Sequence, residues 1–250
     1  MGLDHGIMEA VQRLSGLGGA ADLFFAACTF LGEETFLIVA VLAIYWAVDK
    51  RRGEYLLLSL YMAIASNGIL KDAVRRPRPF LTPGYEDLRY VRIDNPLVST
   101  LDLADSYSFP SGHAQCASGL FSGVWLSGRR RGSTAFLCLL AVALVMTSRV
   151  YLGVHFPTDV LAGALLGLLC ALLAWVLFRA LYSHRLILLG AVVGLSCLAL
   201  LFMDASPDTV KTTALAPALF WGCFWSIRRC TFAPRAAWAA RCCGWCWAPC

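Results

Sequence analysis

The 250-residue chain is 59% hydrophobic and only 15% charged, with a mean hydropathy of +0.67. Such a composition cannot present a mostly polar surface to water, so it excludes a soluble globule and reads as an integral membrane protein. The net charge of +5 comes from short basic clusters between apolar runs rather than from an extended polar face, which argues against nucleic acid as a partner.

Apolar runs near 20 residues recur along the whole length, separated by short charged stretches, which is the helical and not the β-barrel pattern. An all-α, polytopic membrane helix bundle is expected. Its membrane domain spans residues 34–228, after a short helical segment at 1–33 and before a Cys- and Trp-rich tail at 229–250.

In chain order, "MGLDHGIMEAVQRLSGLGG" lacks a basic start followed by an apolar core and a cleavage site, so no signal peptide is expected. It reads as an amphipathic interfacial helix. The stretch 18–32 is too short for an untilted crossing and predicts a tilted or re-entrant piece. Spans are predicted at 35–49, 54–74, 111–128, 133–151, 157–180, 186–203 and 210–227. Basic clusters fall at alternate connections: Lys50, Arg51 and Arg52; Arg129, Arg130 and Arg131; Arg179 and Arg185; then Arg228, Arg229, Arg235 and Arg241. The positive-inside rule makes these ends cytoplasmic and turns 75–110, 152–156 and 204–209 outward. Arg75, Arg76, Arg78, Arg89 and Arg92 break that rule, although Glu86, Asp87, Asp94, Asp102 and Asp105 offset them. Topology does not need those arginines, so another role is expected for them.

Of the eleven cysteines, Cys28, Cys116, Cys138, Cys170, Cys197 and Cys223 lie in apolar stretches, where thiols behave as small hydrophobes. Cys242, Cys243, Cys246 and Cys250 have the number for a four-thiolate metal site but no second Cys pair or His beside them. They read as reduced thiols of an interfacial tail.

Three polar islands interrupt the oily pattern. The first, "KDAVRRPRP" at 71–79, places Lys71 in the last turns of a helix and Arg78 just beyond the break that Pro77 enforces. A compact ammonium beside a planar guanidinium suits phosphate oxygens; headgroup snorkelling by a juxtamembrane basic run is the competing reading. The second, "FPSGHAQC" at 109–116, opens a helix. Pro110 and Ser111 suit its first turn, Gly112 lets an anion approach the unpaired amides, and His113 brings a proton; ordinary capping competes. The third, "SRVYLGVHFPTD" at 148–159, ends one span with Arg149 and sets His155 four residues before Asp159. If that turn is helical, the two share a face, and the carboxylate orients the ring while its other nitrogen attacks. The topology carries all three islands to one side, where they make a phosphate cage. No carboxylate cluster for Mg²⁺ is visible, and no cofactor is expected.

Together the islands resemble the signature of the type 2 phosphatidic acid phosphatase superfamily: Lys71 with Arg78-Pro79, Pro110 to His113, and Ser148-Arg149 with His155 and Asp159. The resemblance covers roughly residues 35–180. It implies about six core membrane helices, with a further C-terminal helix outside the pattern, and a site at the outer leaflet of the plasma membrane. It also implies metal-independent removal of phosphate from lipid phosphates. His155 matches the nucleophile, His113 the acid and Asp159 the residue that orients His155. Lys71, Arg78, Ser111, Gly112 and Arg149 match the phosphate holders. The implied substrate is a lipid phosphomonoester or pyrophosphate, such as phosphatidic acid, phosphatidylglycerol phosphate or a polyprenyl diphosphate, with membrane lipids as the surroundings. Phosphotransfer through the same phosphohistidine is the alternative. Soluble vanadium-dependent haloperoxidases, which resemble the motif set, and a non-catalytic lipid-binding or transport protein are more distant ones. The sequence says nothing of oligomeric state.

Overall fold

The computed structural model describes residues 2–95, 98–100, 103, 106–128, 131–202, 205, 206, 209, 210 and 213. Nearly all of the expected span at 210–227, the whole 229–250 tail with Cys242, Cys243, Cys246 and Cys250, and Asp102, Asp105, Arg129 and Arg130 lie outside the described residues.

The described chain is helical apart from one antiparallel pair of two-residue strands. Its helices are α1 (Leu3–Gln12), α2 (Gly19–Phe30), α3 (Glu34–Ala43, running into a π turn at Ile44–Val48), α4 (Lys50–Val74), α5 (Gly112–Ser127), α6 (Gly132–Tyr151), α7 (Pro157–Ala180) and α8 (Arg185–Leu201). Strands β1 (Asp94–Asn95) and β2 (Val98–Ser99) pair within the long connection from α4 to α5.

Among the described residues, α6, α7 and the stretch Tyr182–Leu201 are long and apolar enough to cross a bilayer. Helices α2 and α3 meet at a 50° bend and make a fourth crossing if they are one broken span. The segment at 18–32 thus becomes the first arm of that bent pair. Helices α4 and α5 do not meet the same measure, and their place in the bundle explains why. Every residue from Gly53 to Tyr61 of α4 is buried, and so is most of α5. A helix enclosed by protein need not be apolar all round, so α4 keeps a basic start and Lys71-Asp72 near its end. The main core gathers Leu37 and Val41 of α3, Tyr55 to Leu58 and Leu60 of α4, Leu120 of α5, Phe178 of α7, and Leu188 and Leu189 of α8.

The closest approach in the bundle is between α5 and α7, where Gly163 and Gly167 replace side chains with space. A Cβ at Gly163 would stand 2.5 Å from the Ser111 carbonyl oxygen, and one at Gly167 would stand 2.1 Å from that of Gln115. Small residues four apart let backbones touch in this way, as in membrane helix pairs generally. Ser118 then donates to the Ala164 carbonyl at 2.6 Å across the seam.

Among the described residues, the basic residues at 50–52 and at 179 and 185 lie together at one end of the helices. Arg51 sits over the Tyr182 ring at 4.1 Å, and Arg185 pairs with Glu54 at 3.1 Å. The three polar islands cap the opposite end of the same helices, where α1 also docks. Met8 of α1 is buried against Ala114, Val150, Phe156 and Val160, and His5 Nε2 donates to Asp87 Oδ1 at 3.1 Å. Gln12 donates to the carbonyls of Arg89 and Tyr151 at 2.7 and 3.1 Å. Leu3, Ile7 and Leu14 remain exposed. His5, Met8 and Gln12 therefore make the face of α1 that meets protein, and Leu3 and Ile7 face away.

Candidate active site

Helix α4 ends by the mechanism that its sequence dictates. Pro77 cannot continue a helix, and Arg75 takes a left-handed conformation (φ 54°), closing the last turn through its N–H to the Lys71 carbonyl at 2.9 Å. Lys71 is left in that last turn. Arg76 then reaches Asp159 Oδ1 at 2.7 Å and lies over the Phe156 ring at 3.8 Å. Arg78 is buried and donates to Val154 O (2.9 Å), Ser106 O (3.1 Å) and Ser106 Oγ (2.6 Å), neutral acceptors that hold its fork in place.

Ser111 is the N-cap of α5 rather than part of its first turn, and Pro110 precedes it. The Ser111 N–H donates to the Asp159 carbonyl at 3.1 Å, which ties the start of α5 to the start of α7. Its hydroxyl makes no cap bond and, although buried, has no hydrogen-bond partner among the described residues. Asn67 of α4 donates to the Pro110 carbonyl at 3.1 Å and packs against Gly112, where a Cβ would stand 3.1 Å from Asn67 Oδ1. His113 Nε2 lies 2.9 Å from Glu33 Oε1, a partner from the turn between α2 and α3.

The third island turns sharply at Gly153, whose φ of +73° suits glycine and whose missing Cβ leaves room for the Arg89 carbonyl. His155 comes before the helix, not on it. Helix α7 begins at Pro157 with Phe156 as N-cap, and Asp159 accepts the Phe156 N–H at 3.0 Å. The helical premise for a shared face is therefore not met. His155 Nδ1 stands 3.8 Å from Asp159 Oδ2, beyond hydrogen-bond length. Ser108 fills the interval, 3.4 Å from Nδ1 and donating to Oδ2. On the far side of the ring, Nε2 lies 3.3 Å from Arg78 Nη1. Burial, with Arg78, Arg149 and Lys71 nearby, holds the His155 imidazole well below the usual histidine range.

Lys71, Arg78, Ser111, Gly112, His113, Arg149, His155 and Asp159 all lie at this end of the bundle. Arg149, near the end of α6, is buried and donates to Thr29 Oγ1 at 2.9 Å, while its Nε has no hydrogen-bond partner among the described residues. Buried polar atoms left so cost free energy unless a ligand answers them, and the Ser111 hydroxyl and Arg149 Nε are the right chemistry for an anion's oxygens. A cleft of about 510 Å³ opens beside them, lined by Glu33, Asn67, Lys71, Tyr107, Gly112 and His113 among others.

Glu33, Arg76 and Ser108 escaped the sequence reading. Glu33 sits 80 residues before its histidine and Ser108 sits 51 residues before its carboxylate, so no local spacing announces either. Arg76 did carry a signal, as one of the outer arginines that topology did not need.

Comparison with known proteins gives the family of the chain. Residues 53–183 match the family model described as PAP2 superfamily. Sphingosine-1-phosphate phosphatase 2 from Mus musculus is 28% identical over 161 residues, 61% of this chain but only 42% of its own. Undecaprenyl-diphosphatase from Sulfolobus acidocaldarius is 30% identical over 141 residues, 54% of this chain and 59% of its own. Among solved structures, the first transmembrane PAP2 type phosphatidylglycerolphosphate phosphatase from Bacillus subtilis superposes with a TM-score of 0.56 at 26% identity, covering 71% of this chain and 85% of that one.

Proposed function

The chain belongs to the PAP2 superfamily of membrane lipid phosphatases, and from that premise we propose that it hydrolyses a phosphomonoester or pyrophosphate of a membrane lipid through a phosphohistidine. One observation carries the reading. His155 turns Nε2 toward Arg78 and Nδ1 toward Ser108 and Asp159, beside two buried polar atoms that await an anion.

In the proposed sequence, the phosphate is held by Lys71, Arg78, Arg149, Ser111 and the amides at the start of α5. His155 Nε2 attacks phosphorus; the N–P bond forms as the P–O bond to the lipid breaks. His113 gives its proton to the departing oxygen. Water then attacks the phosphohistidine, His113 takes back a proton, and the N–P bond breaks to release inorganic phosphate. Asp159 stabilises the His155 cation that forms on attack. Lys71, Arg78 and Arg149 can supply the positive charge that a metal would otherwise bring to the phosphate, so we read the reaction as metal-independent.

The protein is an integral membrane protein, and the clustering of basic residues at the far end supports a site on the outer face of the plasma membrane. We take the phosphatase core as six crossings, α3 to α8. The relatives act, by their names, on sphingosine 1-phosphate, undecaprenyl diphosphate and phosphatidylglycerolphosphate, so all three lipid classes are candidates.

The test is phosphate release by the purified full-length protein in detergent across those lipids, with and without EDTA, followed by acid quench to trap the phosphoenzyme. Release that survives the chelator, with label on His155, is expected. Phosphate appearing on a second lipid or sugar instead of in solution would mark a phosphotransferase. An inactive protein, or label on another residue, would overturn the reading.

A further inference from the structure

His113 faces contradictory demands. The charged groups around it are Arg149, Lys71, Glu33 and, across the cage, His155. A cage of cations suits a phosphate, yet the same cations oppose an imidazolium, the form that a general acid must hold before the leaving oxygen departs. Glu33 is the anion that touches the ring; Glu34 and Asp72 line the same cleft.

The turn that carries Glu33 is built to reach the ring. Gly32 and Glu33 close it through N–H bonds to the Thr29 and Phe30 carbonyls at 2.9 and 3.1 Å. A Cβ at Gly32 would stand 2.8 Å from Val145 Cγ1 and 3.1 Å from His113 Cβ, so only glycine lets this bend press against α5 and α6. Glu33 Oε1 then meets His113 Nε2 at 2.9 Å, and Glu33 lines the cleft together with Lys71 and Tyr107. A carboxylate beside a phosphate site repels the substrate and brings a cost unless it serves another partner.

We propose that Glu33 is the positioning residue for His113: it accepts the Nε2 proton, opposes the cations of the cage in their effect on the ring, and leaves Nδ1 to give a proton to the departing lipid oxygen and to take one from water. The proposal rests on His113 being the acid of the reaction above. Glu33 itself ends each cycle as it began, as a carboxylate.

The test uses the full-length protein in detergent, the variants Glu33→Gln and Glu33→Asp, and a series of phosphate esters running from nitrophenyl to alkyl leaving groups. The rate of phosphoenzyme formation is read by rapid acid quench. A good leaving group needs no acid, so Glu33→Gln should transfer phosphate from nitrophenyl esters at nearly the wild-type rate. It should fall about tenfold or more behind wild type with alkyl esters, within the usual range of acid–base contributions. Glu33→Asp should recover part of the loss, and thermal melting of both variants identifies any loss of fold. Adding Glu33→Gln to His113→Ala should cost nothing further, because a residue acting through the ring has no ring to act on. An equal loss across the series, or a further loss in the double variant, overturns the proposal. If His113→Ala itself shows no leaving-group dependence, the acid assignment fails first and takes the proposal with it.

Discussion

The imidazole of His155 and the carboxylate of Asp159 stand 3.8 Å apart, and the hydroxyl of Ser108 occupies the interval. Ser108 gives its proton to the carboxylate, so its oxygen is left to accept the Nδ1 proton of the ring. Orientation passes through a relay rather than through a direct ion pair.

Ser108→Ala removes the relay while leaving both ends in place. Hydrogen bonds to charged groups are worth roughly 1.5–3 kcal/mol, so phosphoenzyme formation should slow by about ten- to a hundredfold. Rapid-quench kinetics would measure it, and a wild-type rate would mean that Asp159 acts on the ring without help.

Arg76 holds the other oxygen of Asp159 and is itself held by Asp4 of α1 at 3.1 Å. Arg76→Ala should lower kcat by about tenfold or more with little change in KM, since the side chain acts behind the reacting atoms. Arg76→Lys should restore little, because one ammonium cannot reproduce a fork that spans Asp159, Thr158 and Asp4. Full activity in the lysine variant would leave Arg76 as a simple counter-charge.

The depressed affinity of His155 for protons has a definite sign. Burial and the cations Arg78, Arg149 and Lys71 penalise its charged form, so the ring stays neutral, and nucleophilic, at pH values where a free imidazole is mostly protonated. Nitrogen NMR of the ligand-free protein, with the signal assigned by its loss in His155→Gln, should show a neutral ring at about pH 6.5 and below. Half-protonation near that pH would contradict the buried, cation-flanked environment.

Gly167→Ala places a methyl carbon where the Gln115 carbonyl already sits, at 2.1 Å. Overpacking of this kind costs about 1–3 kcal/mol, so the melting temperature in detergent should fall and activity should fall with it, as the α5 and α7 portions of the site separate. An unchanged melting temperature would show that the seam can open freely.

Glu86 is exposed in the connection between α4 and α5, whereas its neighbour Tyr85 packs on His5 and Phe156. Glu86→Cys should therefore gain label from an impermeant thiol reagent on intact cells, relative to the parent chain. Labelling that appears only after permeabilisation would put the site in the cytoplasm.

The membrane helices were legible because each apolar run has a charged or proline-bearing end: Lys71 and Pro77 for α4, Pro157 for α7, the arginines beyond α7. The eight candidate site residues stood out because their spacing within each island is local, and the fold carries them to one end of the bundle. What stayed hidden depends on contacts across the chain. Ser108 has meaning only beside Asp159, Glu33 only beside His113, and the docking of α1 only through Asp4, His5 and Gln12 finding partners 72 to 154 residues away. The helical geometry expected of His155 failed for a local reason that could have been weighed: Pro157 at the first helical position makes Phe156 the cap and leaves His155 outside.

The glycine seam between α5 and α7 has a mechanical consequence. It locks Ser111, His113 and Asp159 onto one stiff body, which the bond from the Ser111 N–H to the Asp159 carbonyl stitches at its tip. The start of α5 forms one wall of the cleft, and the rest of its lining belongs to other parts: the bend at Gly32–Glu33, the later turns of α4 and Tyr107 of the connection that follows. A lipid arriving from the bilayer thus meets an anvil that does not yield and jaws that are separately hung. Evolution, or a protein engineer, can recut the jaws for a different headgroup while the anvil keeps its alignment.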